Sequence, residues 1–198
     1  MSYYWAKFEK RNKDTFRFDT RIYLELINKP SVNDICIGAI VGKNPGAAIP
    51  SSFINNQLQK VDLDGDKLLP NIKSIFLKAY MSSNKQMNKN CYIQVLNLIY
   101  ICYKNLSEAT KKKLNYPNQI NCDTEKKHFP FVWYVWGDDN KKLNMYKERF
   151  YHLKADKSFY LNTKTEKVIS LVPDFKAAAR HTQGLRHDLV VTYISNII

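Results

Sequence analysis

An apolar run that ends in a tight turn constrains this chain more than any other feature. Residues 35–41 (ICIGAIV) have the length and β-branched content of a buried strand. The run then meets Gly42-Lys43-Asn44-Pro45-Gly46, in which two glycines and a proline make a turn. In open α/β sheets, ligands bind at the carboxyl edge of the strands. The pattern therefore predicts an α/β core with Asn44 at a binding edge, and an ordinary strand-to-loop turn is the alternative.

Strand-like and helix-like segments alternate along the rest of the chain, which favours a parallel α/β sheet. Helical periodicity covers residues 70–81, 106–115, 140–153 and 184–198, and strand-like runs cover 21–27, 91–103, 129–136, 158–161 and 167–172. We expect a single domain over residues 1–198. Its basic, aromatic-rich residues 1–30 are expected to form an N-terminal extension packed on the core.

The charge of the chain points to an anionic partner. With 31 Lys and Arg against 18 Asp and Glu, the net charge is +13 at pH 7. Nucleic acid is the partner that this charge favours, because cations that neutralise phosphates release counterions, whereas compositional bias is the alternative. No apolar run approaches the ~20 residues that cross a bilayer. The N-terminus lacks a signal-peptide pattern, so we expect a cytoplasmic monomer without membrane association.

The cysteines do not form a metal-binding pattern. They stand at positions 36, 91, 102 and 122, and no two have C-x-x-C spacing. The acidic stretch 62–66 resembles a calcium loop only superficially, because the downstream bidentate carboxylate is missing. We therefore expect an acidic turn there, and neither a metal nor a cofactor in the protein.

Five segments, taken in order, resemble the uracil-DNA glycosylase superfamily. The turn at 42–46 is similar to its first active-site motif (G-x-N-P-G), as found in the mismatch-specific uracil/thymine and single-strand-selective branches. The other four are a proline-led helix at 68–76, a strand bearing an asparagine at 95–98, a strand ending in Trp-Gly at 132–137, and a second motif at 181–186. The resemblance implies a three-layer α/β sandwich with a central, mostly parallel four-stranded sheet flanked by helices.

The resemblance also implies a DNA glycosylase, which flips a nucleotide out of the stack and cleaves its N-glycosidic bond. In that reaction Asn44 would position water; since an amide is a poor proton acceptor, the bond would largely break before water attacks. His181 would hydrogen-bond the pyrimidine O2, where negative charge grows. The alternatives are a turn-forming asparagine and a surface-loop histidine.

Further residues acquire roles through the same resemblance. Asn97 would read the base edge, or else make a structural hydrogen bond, and Phe53 would stack on the flipped base. Leu185 would fill the gap in the stack, or else belong to the core. The second motif departs from the family, because Thr182-Gln183 replaces Pro-Ser. The expected base-binding residues are Gly42, Lys43, Pro45, Gly46, Ala47, Ala48, Phe53 and Asn97, and the expected DNA contacts are Thr182, Gln183, Gly184, Leu185 and Arg186.

Small residues after the first motif bear on the substrate. Uracil-strict members of the superfamily place a tyrosine there, whereas this chain has Gly46-Ala47-Ala48. We therefore expect a base larger than uracil, such as thymine or a hydroxymethylated or glucosylated cytosine of phage DNA; the alternative is that another residue fills the space beside C5. The partner is duplex or single-stranded DNA with a modified or mismatched base, in repair or in phage defence. The alternatives are a non-catalytic nucleic-acid-binding module and a nucleoside- or nucleotide-processing hydrolase.

Overall fold

The computed structural model describes residues 1–50, 52–63, 65–116, 120–137 and 140–198. Within these ranges the chain forms one mixed α/β sheet with flanking helices. The strands are β1 Ser2–Arg11, β2 Asp14–Ile27, β3 Ile35–Gly42, β4 Leu58–Lys60, β5 Cys91–Asn97, β6 His128–Tyr134, β7 Lys154–Leu161 and β8 Val168–Ile169. The helices are α1 Leu68–Ser83, α2 Leu106–Lys113, α3 Asn144–Lys147 and α4 Asp188–Ile197.

The sheet has the strand order β4-β1-β2-β5-β3-β6-β7-β8. Its centre consists of four parallel neighbours, β5, β3, β6 and β7, while the outer pairings are antiparallel. The expected four-stranded, mostly parallel sheet was therefore wrong, since eight strands of the described chain share one mixed sheet in which four of the seven pairings are antiparallel. The parallel run lies in the middle because apolar strands such as β3 and β5 need cover on both faces.

The first 27 residues are part of this sheet and not an extension packed on it. β1 and β2 form an antiparallel hairpin, and β2 pairs with β5. Tyr4, Ala6 and Phe8 alternate along β1 and are buried on one face. That period of two is the pattern of a strand, and Trp5, which points to the other face, is also buried, against Tyr23 and Tyr92.

Two large apolar clusters cover the two faces of the described sheet, which gives three layers, and a smaller third cluster joins Trp5, Tyr23, Ile27 and Tyr92. Alternate residues of β3 divide between the two large clusters, with Ile40 in the first core cluster and Val41 in the second. The first core cluster joins the sheet to α1 and α4, for example through Ile72 and Ile194. The second joins the opposite face to α2 and α3, through Ala109 and Tyr146.

Helix α1 confirms the helix predicted over 70–81 and extends it by a few residues. Its buried side chains follow the helical stripe: Leu69, Ile72, Ile75, Phe76 and Ala79. The carboxylate of Asp66 accepts a hydrogen bond from the Leu68 main-chain nitrogen at 2.8 Å. An acceptor there satisfies a free N–H at the start of the helix. Asp64, which belongs to the same acidic stretch, lies outside the described residues.

The helix predicted over 140–153 is replaced by α3 between two 3₁₀ turns, at 141–143 and 148–152. Tertiary hydrogen bonds explain the difference. Lys147 is fully buried and donates to the Phe175 carbonyl at 2.7 Å. Arg149 donates to the carbonyls of Asn97 at 2.7 Å and Leu98 at 2.9 Å. These inward contacts set the local conformation more strongly than helical propensity does.

Candidate active site

The carboxyl ends of the four parallel strands lie along one edge of the sheet, which we call the candidate edge. β3 ends there at Gly42 and β5 at Asn97, and these two residues are paired in register. A returning segment closes over the neighbouring strands, because Ala179 bridges both Gly137 and Asn162. The Gly137 nitrogen donates to the Ala179 carbonyl at 2.6 Å. This return carries His181 to the candidate edge.

Asn44 is held in one orientation by a main-chain carbonyl. Pairing continues past the strand ends, since the nitrogen of Leu98 donates to the Gly42 carbonyl and that of Ile99 to the Lys43 carbonyl, each at 2.9 Å. The side-chain nitrogen of Asn44 then donates to the carbonyl of Tyr103 at 2.8 Å. With its nitrogen engaged, the amide retains its oxygen as an acceptor.

Asn97 is the most unusual polar residue of the candidate edge. Its side chain is fully buried, and neither its oxygen nor its nitrogen has a hydrogen-bond partner among the described residues. A β-carbon at position 42 would lie 3.3 Å from the Asn97 oxygen and 3.7 Å from a methyl group of Leu68. The amide therefore sits between β3 and the start of α1, on the face of the first core cluster. A structural hydrogen bond, which was the alternative for Asn97, is not made by the described part of the chain.

The side chain of His181 is positioned to act as an uncharged hydrogen-bond donor. Its Nδ1 accepts a hydrogen bond from the Gln183 main-chain nitrogen at 3.1 Å, so the proton of the neutral ring lies on Nε2. Burial lowers the pKa of His181 below its ordinary 6.5, the positive charge of Lys43 lowers it further, and Asp66 opposes both. The imidazole is therefore uncharged near neutral pH and offers an N–H.

Lys43 links the first motif to the strand that ends in Trp-Gly. A β-carbon at position 137 would lie 2.6 Å from both Cε and Nζ of Lys43. Gly137 also has a φ of +80°, which glycine adopts readily. The glycine thus leaves room for the Lys43 side chain. Because Lys43 also acts electrostatically on His181, this part of the site connects three of the five segments.

The second motif is only partly exposed. Thr182 is fully buried, its hydroxyl has no partner among the described residues, and its carbonyl accepts from the Asn71 side chain at 3.2 Å. A buried hydroxyl does not face solvent, so it is not placed to hold a phosphate. Gln183 and Gly184 are exposed, as is Arg186, which pairs with Asp188 at 2.7 Å.

Leu185 has its side chain in the core. It is 7 % exposed and belongs to the first core cluster. The structure thus matches the core alternative for this leucine, and insertion into a base stack would require it to leave that cluster. The expected helix start at residue 184 also moves, because α4 begins at Asp188.

The residues at the end of the first motif and directly after it differ in how far they are exposed. Pro45 is buried, and Gly46 has a φ of +72°. Ala48 is 2 % exposed within the first core cluster, so it leaves no open volume for a base substituent, whereas Ala47 is exposed. Phe53 is 38 % exposed and lies under Lys10 of β1, a strand that β2 separates from β5. The structure does not bring Ala48 or Phe53 into contact with Asn97.

Arg17 and Asp66 are near the site but were not predicted from the sequence. Arg17 is 1 % exposed, donates to the Ala48 carbonyl at 3.4 Å, and lies 3.7 Å from an oxygen of Asp66. The pair fixes the segment after the first motif against the start of α1. A lone arginine between two aromatic residues, Phe16 and Phe18, was the only signal in the sequence.

A cleft of about 380 Å³ lies elsewhere, between the β1–β2 hairpin and residues 121–124. Its carboxylates are already neutralised, since Glu9 pairs with Arg11 at 2.6 Å and Asp19 with Arg21 at 3.0 Å. It contains none of the five segments. We therefore assign the candidate site to the edge that carries Asn44, Asn97 and His181.

A metal-binding group of side chains and a membrane-spanning helix are both absent from the described residues. No group of three His, Cys, Asp or Glu side chains is arranged there to hold a metal ion. Burial raises the thiol pKa of all four cysteines, which are free. In the same ranges, no helix has the length and apolar content needed to span a bilayer.

Comparison with known proteins gives no relative for this chain. No protein-family model, no curated protein and no solved structure matches it significantly.

Proposed function

We propose that this protein is a monofunctional DNA glycosylase that acts on a pyrimidine-type base. In the reaction, the bond between the sugar C1′ and the base nitrogen breaks, the base leaves with the bonding electrons and takes up a proton, and the oxygen of water bonds to C1′. The products are a free base and an abasic site. We place the reacting nucleotide at the candidate edge, between Asn44, Asn97 and His181.

The observation that carries the proposal is the buried, unpartnered amide of Asn97. Leaving a buried polar group unsatisfied costs about 1–3 kcal/mol, so such a group in a folded protein calls for an explanation. Asn97 presents one acceptor and two donor hydrogens on a strand end that faces the start of α1. The Asn97 amide is as buried as the Thr182 hydroxyl, so the residues that cover it must move aside before a base can reach it. A pyrimidine edge, with neighbouring donor and acceptor atoms, would then satisfy both ends of the amide.

Base release also requires a group that stabilises the departing base, and His181 fits this role. Negative charge develops on the pyrimidine O2 as the bond breaks, and an N–H fixed in advance stabilises that charge. The Nε2 proton is defined by the bond from Gln183 to Nδ1. The nearby charge of Lys43 adds a favourable field for an anionic leaving group.

The reaction also requires a group that orients the attacking water, and Asn44 fits this role. Its oxygen is left to accept a water proton because Tyr103 holds its nitrogen. An amide does not remove a proton from water, so this arrangement fits a reaction in which bond cleavage runs ahead of attack. We expect correspondingly slow chemistry.

A panel of DNA substrates tests the proposal. The purified protein is incubated with single-stranded and duplex oligonucleotides containing uracil, mismatched thymine, 5-hydroxymethylcytosine or its glucosylated form, and abasic sites are cleaved with alkali. We expect release of at least one base. Asn44→Ala and His181→Ala should each slow release by at least ~100-fold while DNA affinity changes little, because both act on the transition state.

Matched variants separate these roles from general damage. Asn88→Ala and His152→Ala change the same residue types at exposed positions away from the candidate edge and should keep full activity. Wild-type activity in Asn44→Ala or His181→Ala would remove that residue from the mechanism. DNA binding without abasic sites would instead identify a non-catalytic binding module. Hydrolysis confined to free nucleosides would identify a nucleoside-processing hydrolase.

A further inference from the structure

A loop after the first motif displays large apolar side chains to solvent. Ile49 is 51 % exposed, Phe53 is 38 % exposed and Ile54 is 50 % exposed. We call these three residues the apolar loop. Single exposed apolar residues are ordinary on protein surfaces, whereas three within six positions are a feature that contacts with a partner can explain.

The apolar loop is anchored at both ends. On one side, Ala48 is packed in the core and bonded to Arg17. On the other, the Ile54 nitrogen donates to the side chain of Gln59 at 2.8 Å, and the Gln59 amide donates back to the Ile54 carbonyl. The nitrogen of Asn56 donates to the carbonyl of Phe8 at 2.9 Å. The described residues on either side of position 51 are therefore held to the rest of the protein by hydrogen bonds.

The apolar loop lies on the same side of the sheet as the candidate site. β1 is antiparallel to β2, and β2 is antiparallel to β5, so β1 runs in the direction of the parallel strands. Its last residues, including Lys10 over the Phe53 ring at 5.7 Å, thus reach the candidate edge. Two strand spacings, on the order of 10 Å, separate β1 from β5.

We infer that the apolar loop inserts into the base stack of duplex DNA next to the flipped nucleotide. Apolar wedges between base steps offset the cost of unstacking, and flanking cations hold the backbone. Leu185 is not available in this conformation because it is buried in the core. Lys10 beside Phe53 favours an anionic partner. The inference rests on the proposed function, since it assigns the strand-opening part of that activity.

Binding to a duplex that contains an abasic site tests the inference without requiring catalysis. The probe is a duplex with a stable tetrahydrofuran abasic site beside 2-aminopurine, compared with the intact duplex of the same sequence. Phe53→Ser combined with Ile49→Ser should lower affinity for the abasic-site duplex by about tenfold, because buried apolar area is lost. It should also weaken the change in 2-aminopurine fluorescence on binding. Affinity for the intact duplex should stay within twofold.

The control variant combines Met81→Ser on α1 and Leu171→Ser in the segment after β8, where the two side chains are 78 % and 67 % exposed. It should bind both duplexes like the wild type. Equal effects of the loop and control variants would overturn the inference. So would a loop variant that loses only binding to anionic phosphatidylserine vesicles, since that would make the loop a membrane contact. If the wild type prefers the abasic-site duplex to the intact one but releases no base from any substrate, the proposed catalysis fails and the loop assignment stands.

Discussion

Asn97 holds its side-chain oxygen 3.3 Å from the point that a β-carbon on Gly42 would occupy. The two residues are register partners at the ends of β5 and β3. A residue larger than glycine at position 42 would press on the amide. The first motif and the strand asparagine, which are 55 positions apart in the chain, therefore form one unit in space.

Replacing Asn97 by leucine should separate stability from function. Leucine has a similar shape and no polar atoms, so the unsatisfied amide is removed, and the free energy of unfolding should rise by about 1 kcal/mol or more. Base release should fall below detection because the base edge loses its partner. Urea unfolding and the alkaline-cleavage assay measure the two effects. A leucine variant that is both less stable and fully active would contradict our account of Asn97.

Changing Asn44 to aspartate should not speed the proposed base release, although a carboxylate is the better base. The Tyr103 carbonyl that now accepts from the amide would face a carboxylate oxygen, which cannot donate. We expect a lower melting temperature and a rate below that of the wild type at pH 7.5. Asn88→Asp, at an exposed position, is the control for the added charge. A faster Asn44→Asp variant would show that the Tyr103 bond does not set the orientation of residue 44.

The pKa of His181 should depend on Lys43. Burial is the main cause of the lowered pKa and Lys43 is the second, so Lys43→Met should move the pKa back toward 6.5. The matched control is Lys78→Met, which should instead raise the pKa of His187, since Lys78 lowers that value. NMR titration of the imidazole signals follows each histidine. Identical His181 titrations in wild type and Lys43→Met would disprove the coupling.

The same histidine predicts how stability varies with pH. A neutral buried imidazole has a lower pKa in the folded than in the unfolded state, so its contribution is fully present above the unfolded value of 6.5. It is lost as pH falls through the lowered folded value. The melting temperature should therefore drop between pH 7.5 and pH 5, and His181→Asn should flatten that drop. An equally steep drop in the variant would assign it to other groups.

Salt should weaken DNA binding steeply if lysines of the candidate edge neutralise phosphates. Lys111 and Lys112 are exposed on α2, and Lys112 lies over Tyr103, the partner of Asn44. Replacing both with alanine should lower the slope of log K against log salt by about two. Lys89→Ala with Lys127→Ala, at exposed positions before β5 and β6, should change it less. A flat wild-type plot would argue against a phosphate-tracking surface.

Tyrosine at positions 47 and 48 should have different consequences. Ala48 is buried in the first core cluster, so Ala48→Tyr should destabilise the fold by about 1–3 kcal/mol through overpacking. Ala47 is exposed, and Ala47→Tyr should leave stability unchanged. If Ala47 borders the C5 side of the base, its tyrosine variant should lower the ratio of 5-hydroxymethylcytosine to uracil release. An unchanged ratio would remove the support for a C5-modified substrate.

The local sequence pattern was sufficient to predict the helices and strands whose buried residues recur at a regular period. The stripe from Ile72 to Ala79 predicted α1, and the run over 35–41 predicted β3, because a strongly apolar period leaves few alternative folds. The β1–β2 hairpin was missed as part of the sheet. Charged and aromatic residues are mixed along its strands, and its pairing with β5 joins residues that lie 69 to 75 positions apart in the chain.

By itself, the sequence determined which residue types stand at strand ends, and thus which side chains were candidates for the site. Only the tertiary structure decided how those side chains are used. It gave Asn97 no partner among the described residues, tied Asn44 to Tyr103, buried Leu185 and Ala48, and exposed Ile49 and Phe53. The physical reason is that burial and hydrogen bonding depend on contacts between distant segments, whereas composition and spacing describe only neighbours along the chain.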